Sequence, residues 1–487
     1  MTANGCGVEL PEYLNRWVAK QRWFASKGHL PSLVSIGQWA LPTEEPAVNI
    51  RTELVFDASA ATRTLYQLPL TERPSPLPGG ERALIAEVDG ATESSRFVYD
   101  APYDPAYARA LLRFILDQGV SPAARNVNAS ARGETLFDGG PGHPSTVMAS
   151  SRVLSGEQSN TSIIYDCVDD AGEPVRPVIC KVFRALHHGE NPDVSVQSAL
   201  ARAGSRFVPE PVGCVVGYWD ELDPAGSRTP GSRTMGHLAF AQEFLPGVED
   251  AWRAALTSAA AGEDFSEQAR KLGEATAAVH ADLAAVMPTH AATPGVIAAE
   301  LDNMRERYRA AAAEVPALAG YRNPIEAVFA RARTVPWPRL QRIHGDYHLG
   351  QVLDVPGRGW VLVDFEGEPL RPLAERTQPD VPLKDVAGML RSFSYVAGTV
   401  ERAHRDHIAL TAAAWASACR QAFLEGYADR SGQNLTEQGA LLDAFELDKA
   451  LYEAVYETRN RPAWLPIPLA AVRHIVAAVS AGVTERS

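Results

Sequence analysis

Cysteine is scarce in this 487-residue chain: Cys6, Cys167, Cys180, Cys214 and Cys419 are odd in number, widely spaced and form no CxxC pair. That pattern argues against a disulfide framework and a zinc ribbon, and it fits a reducing cytoplasm. Clusters of lysine and arginine are also missing, and the formal net charge is -13, so a nucleic-acid or anionic-membrane surface gains no support. Long apolar runs are lacking too. The stretch around 476–483 is too short to span a bilayer, and Glu9 and Glu12 precede any apolar run, so no export signal or membrane anchor is expected. There is no internal repeat and no long low-complexity tract. Hydrophobic residues are plentiful at 46%, over a length that suggests two or three structural units with a substantial core.

Pattern along the chain predicts an α+β protein in parts. Residues 1–122 read as a small α+β module: a helix around Tyr13–Trp23, β-like runs at Glu53–Phe56, Thr64–Leu68, Ala83–Val88 and Arg96–Tyr99, and a helix over Tyr107–Leu116. Residues 123–151 are rich in Asn, Gly, Ser and Pro and read as linker or surface loop. Residues 152–246 are β-rich, with runs at Ser162–Tyr165, Val178–Phe183, Val212–Val216 and His237–Phe244 around a short helix between Val194 and Arg202. Residues 247–487 are mainly helical around one short β segment. Phe265, Ala269, Leu272, Val279, Leu283 and Val286 share one helical face, and Asp264 with Glu267 forms a capping signal ahead of it.

The strongest chemical signal is Ile343-His-Gly-Asp-Tyr-His-Leu-Gly-Gln351, followed after a Pro-Gly turn by Trp360-Val-Leu-Val-Asp-Phe-Glu-Gly-Glu368. Phosphoryl transfer relies on positioning and charge neutralisation, so it needs one carboxylate near the acceptor hydroxyl and others for Mg²⁺. Asp346 on a loop and Asp364 at a strand end supply that division. Taken alone, His344 would be an ordinary core histidine and Asp346 a loop cap. His344, Asp346 and His348 also alternate as zinc ligands would, although no second ligand cluster completes such a site.

A second signal is Ser155-Gly-Glu-Gln-Ser-Asn-Thr-Ser162, leading through a β run to Val178-Ile-Cys-Lys-Val-Phe183. Ser155, Gly156 and Ser159 suit a turn folded over phosphates, and Lys181 can reach phosphate oxygens as a point charge. With one glycine rather than a glycine-rich triplet, the same residues also describe a plain polar hairpin. Lys181 is harder to dismiss, because an unpaired charge buried among apolar strand residues is strongly destabilising.

The His-Gly-Asp loop followed by a later Asp resembles the phosphotransferase family of aminoglycoside, choline and sugar kinases. That resemblance implies a two-lobed, protein-kinase-like fold that uses ATP and Mg²⁺. Asp346 would then be the base or acceptor-orienting residue, Gln351 and Asp364 the Mg²⁺ ligands, and His344 the brace of the loop. Gln351 stands where the family has Asn, one methylene shorter. Gln242, Glu243, Phe244 and Leu245 would form the hinge that holds adenine. The partner of Lys181, normally a helix Glu, stays open, with Asp193 one choice.

Further segments narrow the resemblance to the actinobacterial maltokinases: Gln21-Arg-Trp-Phe24, Gln242-Glu-Phe-Leu-Pro-Gly247, Arg371-Pro-Leu-Ala-Glu-Arg376 and Tyr452-Glu-Ala-Val-Tyr-Glu-Thr-Arg-Asn-Arg-Pro462. This family implies an N-terminal cap module ahead of the kinase. It also implies phosphorylation of the anomeric hydroxyl of maltose to maltose 1-phosphate for α-glucan (glycogen) synthesis, and association with an enzyme that interconverts trehalose and maltose. Tyr452 and Tyr456 lie four apart on one helical face near Arg459 and, with His348, are the candidate sugar-binding residues; a helix packing stripe with a surface Arg fits the same spacing. Glucosamine and other sugars or aminoglycosides are alternative acceptors. A nucleotide-binding pseudokinase is the alternative from another class, opposed by the presence of Lys181, Asp346 and Asp364 together.

Overall fold

The computed structural model describes residues 8–25, 30–60, 64–89, 95–121, 129–136, 146–155, 159–222, 228–368, 371, 373–403 and 409–484. They form two compact units, Met1–Ser198 with Pro209–Pro246, and Ala199–Val208 with Gly247–Ser487.

The first unit runs β1 (Val8–Glu9), α1 (Glu12–Val18), β2 (Leu33–Ala40), β3 (Asn49–Asp57), β4 (Leu65–Arg73), β5 (Leu84–Asp89), β6 (Ser95–Asp100) and α2 (Pro105–Leu116). It continues with β7 (Ala129–Thr135), β8 (Val147–Val153), β9 (Asn160–Val168), β10 (Pro174–Phe183), β11 (Ala185–Leu186), α3 (Pro192–Arg202), β12 (Pro211–Leu222) and β13 (Arg228–Glu243). One sheet has the order β1-β2-β3-β4-β6-β5, with β11 paired to β4. The other has the order β7-β12-β13-β10-β9-β8.

The central strands β3 and β4 of the first sheet are buried along most of their length, although polar residues such as Thr52, Glu53 and Gln67 interrupt their apolar runs. Leu54 and Phe56 face a core shared with α2 and the second sheet, whereas Val55, Tyr66, Leu68 and Leu70 face Leu14 and Val18 of α1. Gln67 joins the two sheets by donating from Nε2 to the carbonyls of Phe183 and Leu238. Buried Arg184 adds a second tie, bonding both oxygens of Asp100 at 2.8 Å and Thr161 at 2.9 Å. Burial nevertheless pushes the Asp100 carboxyl up, against the lowering effect of Arg184.

Three expectations change here. The stretch 123–151 is not simply a loop, because it holds β7 and the start of β8; β7 pairs with β12 from Gly213↔Thr135 to Trp219↔Ala129. Its Ser, Gly and Arg content hides a strand whose alternate residues, Ala129 and Ala131, are small enough to pack against α2. The helix expected over Tyr13–Trp23 ends at Val18, and the chain then turns so that Trp23 and Phe24 pack on Tyr66. β13 begins well before the expected His237.

The second unit contains β14 (Glu249–Asp250), α4 (Ala251–Ala261), α5 (Ser266–Val286), α6 (Pro294–Glu314) and α7 (Arg322–Ala332). These are followed by β15 (Val352–Val355), β16 (Gly359–Leu362), α8 (Leu373–Arg376), α9 (Leu383–Ala403), α10 (Ala409–Ser431), α11 (Gly439–Asn460) and α12 (Pro466–Thr484). It is helical around the small sheet β14-β15-β16, as expected. Asp264 accepts the Ser266 N–H at 2.9 Å just ahead of α5, but the cap position itself falls on Phe265, which makes no side-chain cap bond. Apolarity near the C-terminus is more extensive than the sequence reading allowed: the stretch Pro462–Val479 is long and apolar enough to cross a membrane by composition. Within this unit Val472, Ile475, Val476 and Val479 are buried.

Candidate active site

The loop 343–351 is held from beneath by α9. Asp385, buried in the first turn of that helix, accepts the backbone N–H of His344 at 2.8 Å through Oδ2 and that of Gly345 at 2.9 Å through Oδ1. His280 of α5 donates from Nε2 to Oδ2 at 3.0 Å and accepts the Tyr427 hydroxyl at Nδ1. Burial pushes the Asp385 carboxyl up, but these bonds outweigh it and hold it below its ordinary value. Gly345 has φ +84°, where a side chain would be strained, and this bend turns the chain toward Asp346. Gly388 lets α9 approach closely, since a Cβ there would stand 2.6 Å from the Tyr347 carbonyl oxygen. Beyond the bend, the Leu349 N–H donates to Ser392 Oγ, and Tyr347 shares a hydrogen bond with Thr276.

The strand-end aspartate is tied to this loop. His344 donates from Nε2 to the Val363 carbonyl at 3.0 Å and packs on Phe365, with centroids 4.6 Å apart, so the histidine braces both segments. Gln351 donates from Nε2 to Asp364 Oδ2 at 3.0 Å, and its backbone carbonyl accepts the Val363 N–H. Asp364 holds φ +69°, a sparsely populated conformation for a residue with a side chain, and such strain is concentrated at functional sites. The carboxylate and neighbouring carboxamide offer the hard oxygen donors that Mg²⁺ prefers, and the extra methylene of Gln351 does not prevent it from reaching Asp364.

A cavity of about 370 Å³ opens beside the loop, lined in part by Gly345, Tyr347, Glu368, Lys449 and Tyr452, and it falls in the size range of small-molecule sites. Lys449 of α11 lies 3.4 Å from Asp346 Oδ1 and also pairs with Glu368. Glu368 in turn accepts from Arg371 Nε at 2.7 Å. Burial raises the Glu368 carboxyl, yet Lys449 and Arg371 overcome this and bring it to about 2. Burial lowers the Lys449 ammonium, but Glu368 and Asp346 reverse that and hold it well above its ordinary value.

Of the residues singled out for the acceptor, Tyr452 reaches the cavity, with Lys449 Nζ 5.1 Å from its ring centroid. Tyr456 is 41% exposed under the Arg461 guanidinium, and Arg459 pairs with Glu314 of α6 at 2.7 Å on the exposed side of α11. The shared helical face therefore splits, because Tyr452 lines the cavity whereas Tyr456 does not. His348 is half-buried, accepts the Gly350 N–H at Nδ1, and is shifted downward, mainly by burial.

In the first unit Lys181 lies opposite Ser162 of β9 and Phe240 of β13, on the strand face away from Val178, Cys180 and Val182. Its Nζ pairs with Asp193 Oδ2 at 2.8 Å, and Gln197 donates to the other Asp193 oxygen at 2.6 Å. Asp193 thus fills the place that the sequence reading left open. Ser155 follows β8 and Ser159 precedes β9; Gly156 lies outside the described residues. Gln242 and Glu243 end β13, and the Phe244 N–H donates to the Pro177 carbonyl ahead of Leu245.

Sequence reasoning missed Asp385 and Lys449 as site residues. A signal existed for Lys449, a cation three residues before Tyr452 and so near it on a helix. Asp385 opens a segment, Asp385-Val-Ala-Gly-Met-Leu-Arg-Ser-Phe393, that resembles the maltokinases, but nothing local gave it a role, because it acts across forty residues on backbone groups.

The sequence is 32% identical over 323 residues to a protein named "Glucosamine kinase" from Streptacidiphilus jiangxiensis, spanning 62% of this chain and 70% of that one. Residues 196–432 match the model described as "Phosphotransferase enzyme family". The chain belongs to this phosphotransferase family. Residues 17–104 of this phosphotransferase match the "Maltokinase N-terminal cap domain". A second protein named "Glucosamine kinase", from Mycolicibacterium smegmatis, is 28% identical over 337 residues, 66% of this chain and 78% of its own. Among solved structures, "Glucosamine kinase in complex with glucosamine, ADP and inorganic phosphate" shares the fold with a TM-score of 0.63 at 22% identity, covering 95% of this phosphotransferase and 98% of that chain. The structure described as "Glucosamine kinase (crystal form B)" gives 0.65 at 23% identity, with 95% and 99% covered.

Proposed function

We propose that the protein is a cytoplasmic, ATP-dependent sugar kinase that phosphorylates the anomeric hydroxyl of maltose. The observation that carries the reading is the loop held by Asp385 and His344, with Asp346 beside a polar cavity and Asp364 next to Gln351. Asp346 orients the acceptor hydroxyl and takes its proton as the new O–P bond forms and the bond from the γ-phosphorus to ADP breaks. Asp364 and Gln351 would hold Mg²⁺, which neutralises phosphate charge when bound. Lys181, fixed by Asp193, serves the nucleotide phosphates; by the family resemblance Ser155, Gly156 and Ser159 are the further phosphate-binding candidates and Gln242 to Leu245 the adenine-binding ones. Tyr452 offers an aromatic face to a sugar ring.

The same reading divides the chain into a cap (1–122), a β-rich lobe (152–246) to whose sheet β7 and β8 of the stretch 123–151 also contribute, and a helical lobe (247–487). Maltose rests on the maltokinase-type motifs and cap match. The resemblance also supplies the role in glycogen synthesis and the association with a trehalose–maltose interconverting enzyme. Glucosamine is the rival acceptor, since both curated relatives carry its kinase's name.

The test is ADP release with maltose, glucose, glucosamine and an aminoglycoside, for the wild type and Asp346→Asn. Maltose is expected to be the best acceptor, and Asp346→Asn to abolish turnover while leaving ATP binding intact. Unchanged turnover in the variant would refute the mechanism, and glucosamine as best acceptor would refute maltose.

A further inference from the structure

The charges lining the cavity are balanced in a way that bears on which sugars can enter. Glu368 is committed to Lys449 and Arg371. Asp448 is held by both arms of the Arg307 guanidinium, at 2.7 and 2.8 Å. Asp380 pairs with Lys384 at 2.7 Å, and Asp385 is spent on the loop backbone and His280. Among the described residues lining the cavity, each of these carboxylates thus already has its cation or donors, and Glu375 is exposed to solvent.

A hydroxyl suits such a wall, because it accepts from ammonium or guanidinium groups and donates to carboxylates without disturbing the pairs. An ammonium does not. It only donates, so it must compete with a resident cation for each carboxylate, and near the reacting end it meets the like charge of Lys449, 3.4 Å from Asp346. The other groups facing Lys449 are Glu368, His348, Tyr452 and Glu453, with Arg371 behind Glu368. Lys449 is partly buried, with 23% of its side chain exposed, so solvent screens it weakly.

We infer that Lys449 is a specificity-determining residue that reserves the acceptor site beside Asp346 for uncharged sugars and disfavours those bearing an ammonium group. This rests on the kinase reading above and deepens it.

The experiment compares kcat/KM for maltose, glucose, N-acetylglucosamine and glucosamine across pH, in wild type, Lys449→Met and Lys449→Arg. For the wild type, the preference for glucose over glucosamine is expected to be about tenfold or more while the amine is protonated, and to shrink as rising pH removes its charge. In Lys449→Met the preference and its pH dependence collapse, whereas Lys449→Arg keeps both. The wild-type pH series needs no variant to fold. A wild type that prefers glucosamine, a preference that does not move with pH, or a Lys449→Met ratio within about twofold of wild type overturns the inference while leaving the kinase intact. Turnover of none of the four sugars overturns the kinase reading, and the inference with it.

Discussion

Asp385→Asn is the most informative perturbation of this site, because it alters one buried atom without changing side-chain size. The carboxylate takes two backbone N–H groups and the His280 Nε2–H with its two oxygens. In the amide one oxygen becomes an NH₂, so at least one N–H of the loop faces another donor. Hydrogen bonds to a charged group contribute about 1.5–3 kcal/mol each, and the surviving bonds lose their charge assistance. The expected loss is about 2–4 kcal/mol in the stability of the unit that contains residues 247–487. The second consequence falls on turnover: Gly345 loses its anchor one residue before Asp346, and a misplacement of about 1 Å can lower kcat roughly a hundredfold. Urea unfolding and steady-state ADP release measure the two effects. Because the folded carboxyl is held below its ordinary value, its contribution is present above the unfolded pKa of about 3.9 and is lost as pH falls. The variant's deficit should therefore narrow in acid. Wild-type stability and kcat in Asp385→Asn would refute the reasoning, and lost stability with full kcat would show that the anchor does not position Asp346.

Other perturbations test separate parts of the molecule. Asp364→Ala should abolish Mg²⁺-dependent nucleotide binding, read by calorimetry with and without the metal; wild-type affinity would exclude its ligand role. Arg184→Met strands Asp100 in the core of the first unit and should cost about 3–5 kcal/mol in urea unfolding, most of it recovered by adding Asp100→Asn. No recovery would show that the pair does not act together. Glu368 ionises at about 2 in the folded protein, against about 4.3 unfolded, so its stabilisation is complete above the unfolded value and disappears as pH falls through 2. Glu368→Gln should lower the melting temperature at pH 7 and flatten its fall between pH 5 and 2; an unchanged slope would remove Glu368 from the acid response.

Period and punctuation in the sequence determined a good deal: the α+β class, the helical C-terminal half around one β segment, the strand that carries Lys181, and the pairing of a His-Gly-Asp loop with a later strand-end Asp. Those features are local, since each depends on residues within a few positions of one another. Strand β7 escaped because its small and polar residues lack the apolar alternation that marks a half-buried strand; its partner β12 supplies the reason for its form. The face shared by Tyr452 and Tyr456 was legible, but which of the two meets the cavity depended on what packs against α11. The same holds for the charges. The sequence alone marked Asp346, Asp364 and Lys181 as the candidates for chemistry. Only the tertiary structure decided that Asp193 holds Lys181, that Asp385 holds the loop, and that Lys449 stands over Asp346 from more than a hundred residues away. Electrostatic and hydrogen-bond partners are chosen by distance in space, and spacing along the chain carries no record of it.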